Sequence, residues 1–537
     1  MQAVIPVALL GFVGLAAGCA GAAPRACADL TQLRLDGAEI TAATEVPAGR
    51  FTPPADGIPM PPFDLPAYCR VEAVARPTAD SEIKFEVWLP AEGWNGKFQQ
   101  VGNGGYAGSI PSASIGAALL RGYAAAGTDD GHVGQDPSFA IGHPEKVIDF
   151  GHRAVHLTAE FSKAIIAARY GEEPKRSYFV GCSDGGREAL MEAQRYPADF
   201  DGIVAGAPAN NWTRLMAMGV WDWQALTETP GSAIPAAKLG LIQAAALAAC
   251  DGLDDVADGL IENPSRCRFN PERLRCPGGD RPDCLTGAQL AALEKLYSGP
   301  VSPATGERIH PGAVPGAEAV PGNWNPWMVA SEQMPISIIA WFGTGFFRDM
   351  VFAQADWDYR TFDFDQDLAT ALGKVAPHLD ATDPDLRPFR DRGGKLIQYH
   401  GWGDAAIPAT GSVNYYQEVL ATVGPDAGDF YRLFMVPGMG HCGDGIGPTD
   451  FGQALPGPDA ADPERDIVAA LDRWVEQGTA PEQLIGTGLR LGDPPSDPAK
   501  TVAITRPICA WPKEAVRQGN GSTDEAASFT CAVRDGK

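Results

Sequence analysis

The chain has 537 residues, 45% of them hydrophobic, and a formal net charge of −25. That charge excludes a nucleic-acid partner, since no basic patch is available to neutralise phosphates. It implies good solubility and some repulsion of anionic substrates, while the length allows a large buried core and two to four domains.

Val4 to Ala17 is apolar, too short to span a bilayer, and ends in small residues, so residues 1–22 read as an export signal. Leu15-Ala16-Ala17-Gly18-Cys19 has the look of a lipobox, which would place a lipid on Cys19 and tie the chain to a membrane. Its leucine stands one place further from the cysteine than usual, and no Lys or Arg precedes Arg25. Cleavage after Ala20-Gly21-Ala22 is the alternative. No later stretch reads as long and apolar enough to cross a membrane. The chain has 11 cysteines. Setting Cys19 aside leaves an even number, which points to an oxidising compartment: periplasmic, lipid-anchored or secreted.

Lys97-Phe98-Gln99-Gln100-Val101 reads as a strand, followed by the glycine-rich loop Gly102-Asn103-Gly104-Gly105-Tyr106. Next, Ser177-Tyr178-Phe179-Val180 reads as a strand and Glu188 to Arg195 as a helix. Between them stands Gly181-Cys182-Ser183-Asp184-Gly185, a Gly-x-Ser-x-Gly turn in the setting of a nucleophile elbow. A strained turn of this kind needs small residues beside the serine, and Gly181 and Gly185 supply them. It would lift the Ser183 hydroxyl above a sheet and aim the Asp184 N–H at an incoming carbonyl oxygen. An oxyanion hole requires a second donor. The earlier glycine loop offers it from Gly104 or Gly105.

Gly202-Ile203-Val204-Ala205-Gly206 reads as the next strand, yet the following core strand begins only near Lys395. The interval, residues 207–394, therefore reads as an inserted lid domain with helical stretches at Ala236 to Ala249 and Thr286 to Tyr297. It is rich in aromatic residues, among them Trp212, Trp221, Trp324, Trp327, Trp341 and Phe342. Most would form the lid's own core, but an aromatic inner face would also suit a flat acyl group. Asp251, Asp254, Asp255 and Asp258 crowd one short loop. Hard oxygen ligands on a tight turn suit Ca²⁺, although the spacing is not that of an EF-hand and a solvated acidic turn is the alternative. Arg348 is a candidate reader of a substrate carboxylate, with pairing to Asp349 or Asp356 as the alternative role.

Lys395-Leu396-Ile397-Gln398-Tyr399-His400 reads as a strand, with Asp404 in the loop past its end. Tyr431 to Val436 reads as another, followed by Pro437-Gly438-Met439-Gly440-His441. Of eight histidines, His441 is the last, and with Asp404 as the acid it is the base that remains. The order Ser183, Asp404, His441 is the one an α/β-hydrolase requires. The fold expected is thus an α/β-hydrolase core, residues 23–206 and 395–537, with a large inserted lid domain. If Ser183 and His441 meet, Cys182 and Cys442 come close enough for a disulfide beneath the site.

This Cys-Ser…Asp…His-Cys arrangement resembles the tannase and feruloyl esterase family, from about Cys27 to the C-terminus. The family includes mono(2-hydroxyethyl) terephthalate hydrolases. The resemblance implies the pairs Cys27–Cys69, Cys182–Cys442, Cys250–Cys267, Cys276–Cys284 and Cys509–Cys531. It also implies a structural Ca²⁺ in the lid, held by the side chains of Asp251, Asp254 and Asp258 and the carbonyls of Val256 and Leu260. No organic cofactor is implied. The expected activity is hydrolysis of small aromatic esters through an acyl-enzyme, with feruloyl or hydroxycinnamoyl esters leading. Galloyl esters and terephthalate half-esters are the alternatives. An α/β-hydrolase peptidase and a non-catalytic exported binder of aromatics are the rivals outside that class.

Overall fold

Apolar, β-branched and aromatic runs such as Tyr178-Phe179, Ile203-Val204 and Leu396-Ile397 are buried on both faces, as strands sandwiched between helical layers must be. In the computed structural model, which describes residues 23–54, 60–331, 334–490 and 502–534, they form the centre of a nine-stranded sheet. Its strands are β1 (Ala38–Val46), β2 (Tyr68–Ala75), β3 (Ile83–Pro90), β4 (Lys97–Val101), β5 (Ala124–Thr128), β6 (Arg176–Cys182), β7 (Gly202–Gly206), β8 (Lys395–Gly401) and β9 (Tyr431–Val436). Their spatial order is β1-β2-β3-β5-β4-β6-β7-β8-β9. The first three pairings are antiparallel and the rest parallel. The residues assigned to the export signal, with Cys19, lie outside the described residues.

Helix α1 (Ser112–Leu120) covers one face of the sheet, while α2 (Ala154–Tyr170) and α3 (Asp184–Arg195) cover the other. β7 and β8 are hydrogen-bonded neighbours, so everything between them is an excursion from the sheet. It carries α4 (Trp212–Thr227), α5 (Leu239–Cys250), α6 (Gly287–Ser298) and α7 (Ile338–Gly345). α6 starts with a capping box, Thr286 and Gln289 each satisfying the other's backbone N–H. α4 and α7 cross closely. A Cβ on Gly219 would meet the Ile339 carbonyl at 2.3 Å, and one on Gly343 the Met216 carbonyl at 2.5 Å. After β8, α8 (Thr410–Val423) joins the α2–α3 layer and α9 (Ile467–Gln477) the α1 layer. The excursion and the core loops share one apolar cluster, in which Tyr106 and Phe150 pack with Trp212, Leu215, Ile339 and Phe346.

One expectation is corrected. Ala236–Asp254 is long and apolar enough to cross a membrane by length and composition. In the fold it is a short 3₁₀ turn, α5 and a second 3₁₀ turn. Leu239, Ile242, Ala246 and Cys250 of α5 are buried against the rest of the insertion. Part of the apolar content here serves internal packing, which hydropathy alone does not separate from lipid contact.

α3 approaches β7 closely because Gly186 has no side chain: a Cβ there would meet the Gly206 carbonyl at 2.2 Å. Gly186→Ala should therefore destabilise the protein by about 1–3 kcal/mol through overpacking. Chemical denaturation of the purified variant would check this.

Candidate active site

The turn from β6 into α3 places Ser183 in left-handed backbone, φ 66° and ψ −121°. Nothing larger than glycine fits at Gly181, where a Cβ would lie 2.4 Å from the Gly185 carbonyl. The strand ends and the helix begins around this one residue, which raises its side chain off the sheet.

His441 Nε2 lies 2.9 Å from Ser183 Oγ, and His441 Nδ1 lies 2.8 Å from Asp404 Oδ2. Asp404 is fully buried at its side chain, and its Oδ1 accepts the N–H groups of Ala406 at 2.8 Å and Ile407 at 2.9 Å. Burial by itself would raise this carboxyl. The charge of His441 and hydrogen bonds from His400 and His441 outweigh burial and hold it well below the usual carboxylate range. A second histidine, His400, thus faces the acid as well, 3.2 Å from Oδ2. Its Nδ1 is engaged by the Ser412 hydroxyl at 2.7 Å, so it braces Asp404 from behind.

Two residues of the insertion position this arrangement: Asn323, which motif reading did not single out, and Trp327, which it read only as one of the aromatic residues. Asn323, from the insertion, donates to the Ala317 and Gly403 carbonyls at 2.8 and 2.7 Å and accepts the Ala405 N–H at 3.1 Å. It therefore staples the Asp404 loop. Trp327, also from the insertion, packs edge-on against His441 with ring centroids 5.0 Å apart. Nothing local in the sequence marks Asn323, and only its aromatic character marks Trp327.

Gly104 and Gly105 both line the same cavity as Ser183 and His441. Their loop is locked to the elbow, since the Gly185 N–H donates to the Asn103 carbonyl at 2.9 Å. Asp184 follows Ser183 as the first residue of α3, and its carboxylate binds the fully buried Arg187 at 2.5 Å. Arg187 also donates to the Gly151 and Phe150 carbonyls. The cavity holds about 660 Å³. Trp212, Met216, Trp327, Ile339 and Phe342 form its wall on the insertion side. Of the predicted aromatic residues, Trp324 is instead buried in the insertion's own core.

The ten cysteines of the described chain form the five expected bridges. Cys182–Cys442 joins the neighbours of Ser183 and His441 across a sequence separation of 260. Arg348 makes a two-pronged pair with Asp349, at 2.8 and 2.6 Å, which is the alternative role its sequence context allowed.

In the acidic loop, Asp251 accepts the Asp258 and Gly259 N–H groups, and Asp254 accepts that of Val256. Asp258 is turned to Arg506, 2.5 Å away. Among the described residues the three carboxylates do not gather within 4.8 Å of one another. The donors fit a hard cation in kind, being carboxylates and carbonyls on one tight turn, but Asp258 is shared with an arginine. At the end of this loop, Leu260 packs against Gly438 of the His441 loop.

A family profile described as "Tannase and feruloyl esterase" matches residues 69–532. The chain belongs to the tannase and feruloyl esterase family. It is 45% identical to an "Uncharacterized esterase" of Xanthomonas campestris pv. campestris, over 95% of this chain and 91% of that one. It is 34% identical to "Feruloyl esterase C" of Talaromyces stipitatus, over 87% and 86% of the two chains. The crystal structure of feruloyl esterase B from Aspergillus oryzae superposes with a TM-score of 0.83 at 29% identity, covering 94% and 99%. With these relatives, the chain is a carboxylic ester hydrolase on an α/β-hydrolase fold.

The tannase and feruloyl esterase site leans on its Cys182–Cys442 bridge. Cys182→Ser with Cys442→Ser should cost about 2–5 kcal/mol of stability, the usual range for a lost native disulfide. It should also lower kcat more than it raises KM, because Ser183 and His441 lose their tie. Thermal melts and steady-state kinetics of the double variant would check both.

Proposed function

We propose that this chain is an exported serine esterase that cleaves aromatic acyl esters, with feruloyl or related hydroxycinnamoyl esters as its substrates. The observation that carries the reading is the Asp404–His441–Ser183 chain of hydrogen bonds opening on a cavity walled by Trp212, Trp327 and Phe342. His441 takes the Ser183 proton as the hydroxyl attacks the ester carbonyl, and Asp404 holds the imidazole in the tautomer that makes this possible. The N–H groups of Asp184 and of Gly104 or Gly105 receive the charge on the tetrahedral oxygen. The alcohol departs with a proton from His441, leaving an acyl-enzyme that water resolves by the same steps.

The lining favours one acyl group over its alternatives. Arg121, the one arginine lining this cavity among the described residues, is committed to Asp466 and the Gly452 carbonyl. Asp444 adds negative charge at the wall. A terephthalate half-ester would bring a carboxylate with no cation to meet it. A galloyl ring would bury three hydroxyls against mostly apolar walls, whereas a hydroxycinnamoyl group carries fewer. The disulfide framework supports export, since such bridges persist in oxidising compartments. Attachment through a lipid on Cys19 is part of this proposal only as the lipobox variant of export.

Ca²⁺ at the acidic loop is proposed as a structural ion, held by Asp251 and Asp254 with the carbonyls of Val256 and Leu260, and by Asp258 as far as Arg506 releases it. Bound there, it would neutralise the crowded carboxylates and steady Leu260 beneath the His441 loop.

Initial rates on methyl ferulate, methyl gallate and mono(2-hydroxyethyl) terephthalate should rank in that order. Ser183→Ala should remove turnover of all three while leaving the circular dichroism spectrum unchanged. A fluorophosphonate probe should label Ser183; no labelling would favour a non-catalytic binder of aromatics. Separately, a chelator should lower the melting temperature by a few degrees and added Ca²⁺ should restore it. An unchanged melt would leave the loop a solvated acidic turn.

A further inference from the structure

Helix α3 carries three carboxylic acids on one buried face, Asp184, Glu188 and Glu192, each one helical turn from the next. Like charges at this spacing repel even on an exposed helix, and burial makes the problem worse. Asp184 is neutralised by Arg187. Among the described residues Glu188 has no basic ion-pair partner of its own. What faces it is another acid: the carboxylate oxygens of Asp130, Asp184 and Glu188 all lie within 4.8 Å of one another.

Asp130 stands in the loop just past β5, fully buried, in left-handed backbone with φ 58°. Strain of that kind persists only where its surroundings hold it. Among the described residues, neither of its carboxylate oxygens has a hydrogen-bond partner, and Glu188 Oε1 has none either. The other oxygen of Glu188 accepts the Asn103 N–H at 3.0 Å. Asn103 is held on two further sides: its side-chain amide donates to the Thr128 carbonyl at 3.0 Å, and its own carbonyl accepts the Gly185 N–H at 2.9 Å. Gly104 and Gly105 follow directly.

Two dry carboxylates facing each other with only the Asn103 N–H as a donor cannot both be ionised, and one proton between them supplies the donor that their remaining oxygens lack. We propose that Asp130 and Glu188 share a proton, and that this pair is a positioning element that clamps Asn103, and with it Gly104 and Gly105, against the Ser183 elbow. The proposal rests on reading one of those glycines as an oxyanion donor.

The electrostatics agree with the geometry. Burial pushes both groups up, joined by the charge of Asp184 at Glu188 and of Glu188 at Asp130. A hydrogen bond with Asp130 opposes it at Glu188, and the Asn103 side chain opposes it at Asp130. Glu188 rises to about 7, and Asp130 well above the usual carboxylate range. The charged groups facing the pair are Asp184 and Arg187, with Glu192 one turn further along. Glu192 itself is raised by burial and then by Asp199, with Lys163 opposing. Asp129, beside Asp130, is turned away to the N–H groups of Lys84 and Gly131.

The sign of the pH effect follows. Carboxyls raised by folding contribute stability that is complete at low pH. That contribution is lost as pH rises from the ordinary carboxylate range through about 7 for Glu188. Loss of the shared proton sets two buried charges against each other beneath the oxyanion loop, so kcat falls on the alkaline side while KM changes little.

The test compares wild type, Asp130→Ala and Asp130→Asn by kcat and KM against pH on an ester the protein hydrolyses, and by melting temperature against pH. Asp130→Ala should lower kcat by on the order of tenfold or more with KM held within about twofold, since a displaced oxyanion donor acts on the transition state. Asp130→Asn carries an N–H donor that does not titrate. It should restore most of kcat, remove the alkaline fall and flatten the decline of melting temperature between about pH 5 and about pH 8. An alkaline limb and a melting profile for Asp130→Asn that parallel wild type would overturn the proposal. So would a stoichiometric metal ion, additional to any Ca²⁺ held by the acidic loop, that elemental analysis finds in wild type and not in Asp130→Asn, because a cation would then hold the cluster. If Asp130→Ala does not fold, the Asp130→Asn comparison still decides. If no ester is hydrolysed, the melting profiles still decide the shared proton, and the esterase reading fails separately.

Discussion

Ser183 sits where an L-residue is held at a cost, in left-handed backbone between a strand and a helix. The surrounding chain leaves it no alternative. Gly181 and Gly185 press against each other across the turn, Gly185 against the Asn103 loop, and Gly186 against β7. Each contact is backbone on backbone, and each would be broken by a single Cβ. From this crowding follows the approach of β4's glycine loop to the elbow, the meeting of Ser183 with His441, and the nearness of Cys182 to Cys442. The geometry of the site is thus a consequence of how tightly α3 can be laid on the sheet.

Tight packing brings charges with it into a dry place, and the fold handles them in distinct ways. Arg187 is fully buried, yet its guanidinium is spent on Asp184 and two backbone carbonyls and lies 4.8 Å from the centre of the Phe150 ring. Asp404 is equally buried and stays ionised, because two backbone N–H groups and two histidines surround it. The Asp130–Glu188 pair has no such supply of donors. These three solutions lie within one helix and the loops that touch it, so the electrostatics behind the elbow are as constrained as its backbone.

The insertion between β7 and β8 does more than cover the site. Asn323 braces the Asp404 loop, Trp327 packs on His441, and Leu260 at the end of the acidic loop packs beneath Gly438. Asp404, His441 and the wall of the cavity are therefore all set partly by a segment whose described residues contribute no strand to the nine-stranded sheet.

Much of this was legible from local pattern. The strands at Lys97–Val101, Gly202–Gly206 and Tyr431–Val436 fall where apolar runs end at glycine or proline, and the order of Ser183, Asp404 and His441 needs only chain position. Such features depend on neighbours in sequence, where backbone sterics and side-chain periodicity act. α3 begins at Asp184 rather than Glu188, since the two glycines after Asp184 look like helix breakers until the close approach of β7 explains them. What tertiary structure alone decided are contacts between distant segments: Asn323 with Gly403, His400 behind Asp404, Arg348 with Asp349 rather than a ligand, and Asp130 facing Glu188. Whether an acid or a base is spent on a neighbour or left free is an energetic matter of desolvation and distance. Neither quantity exists until the chain has folded.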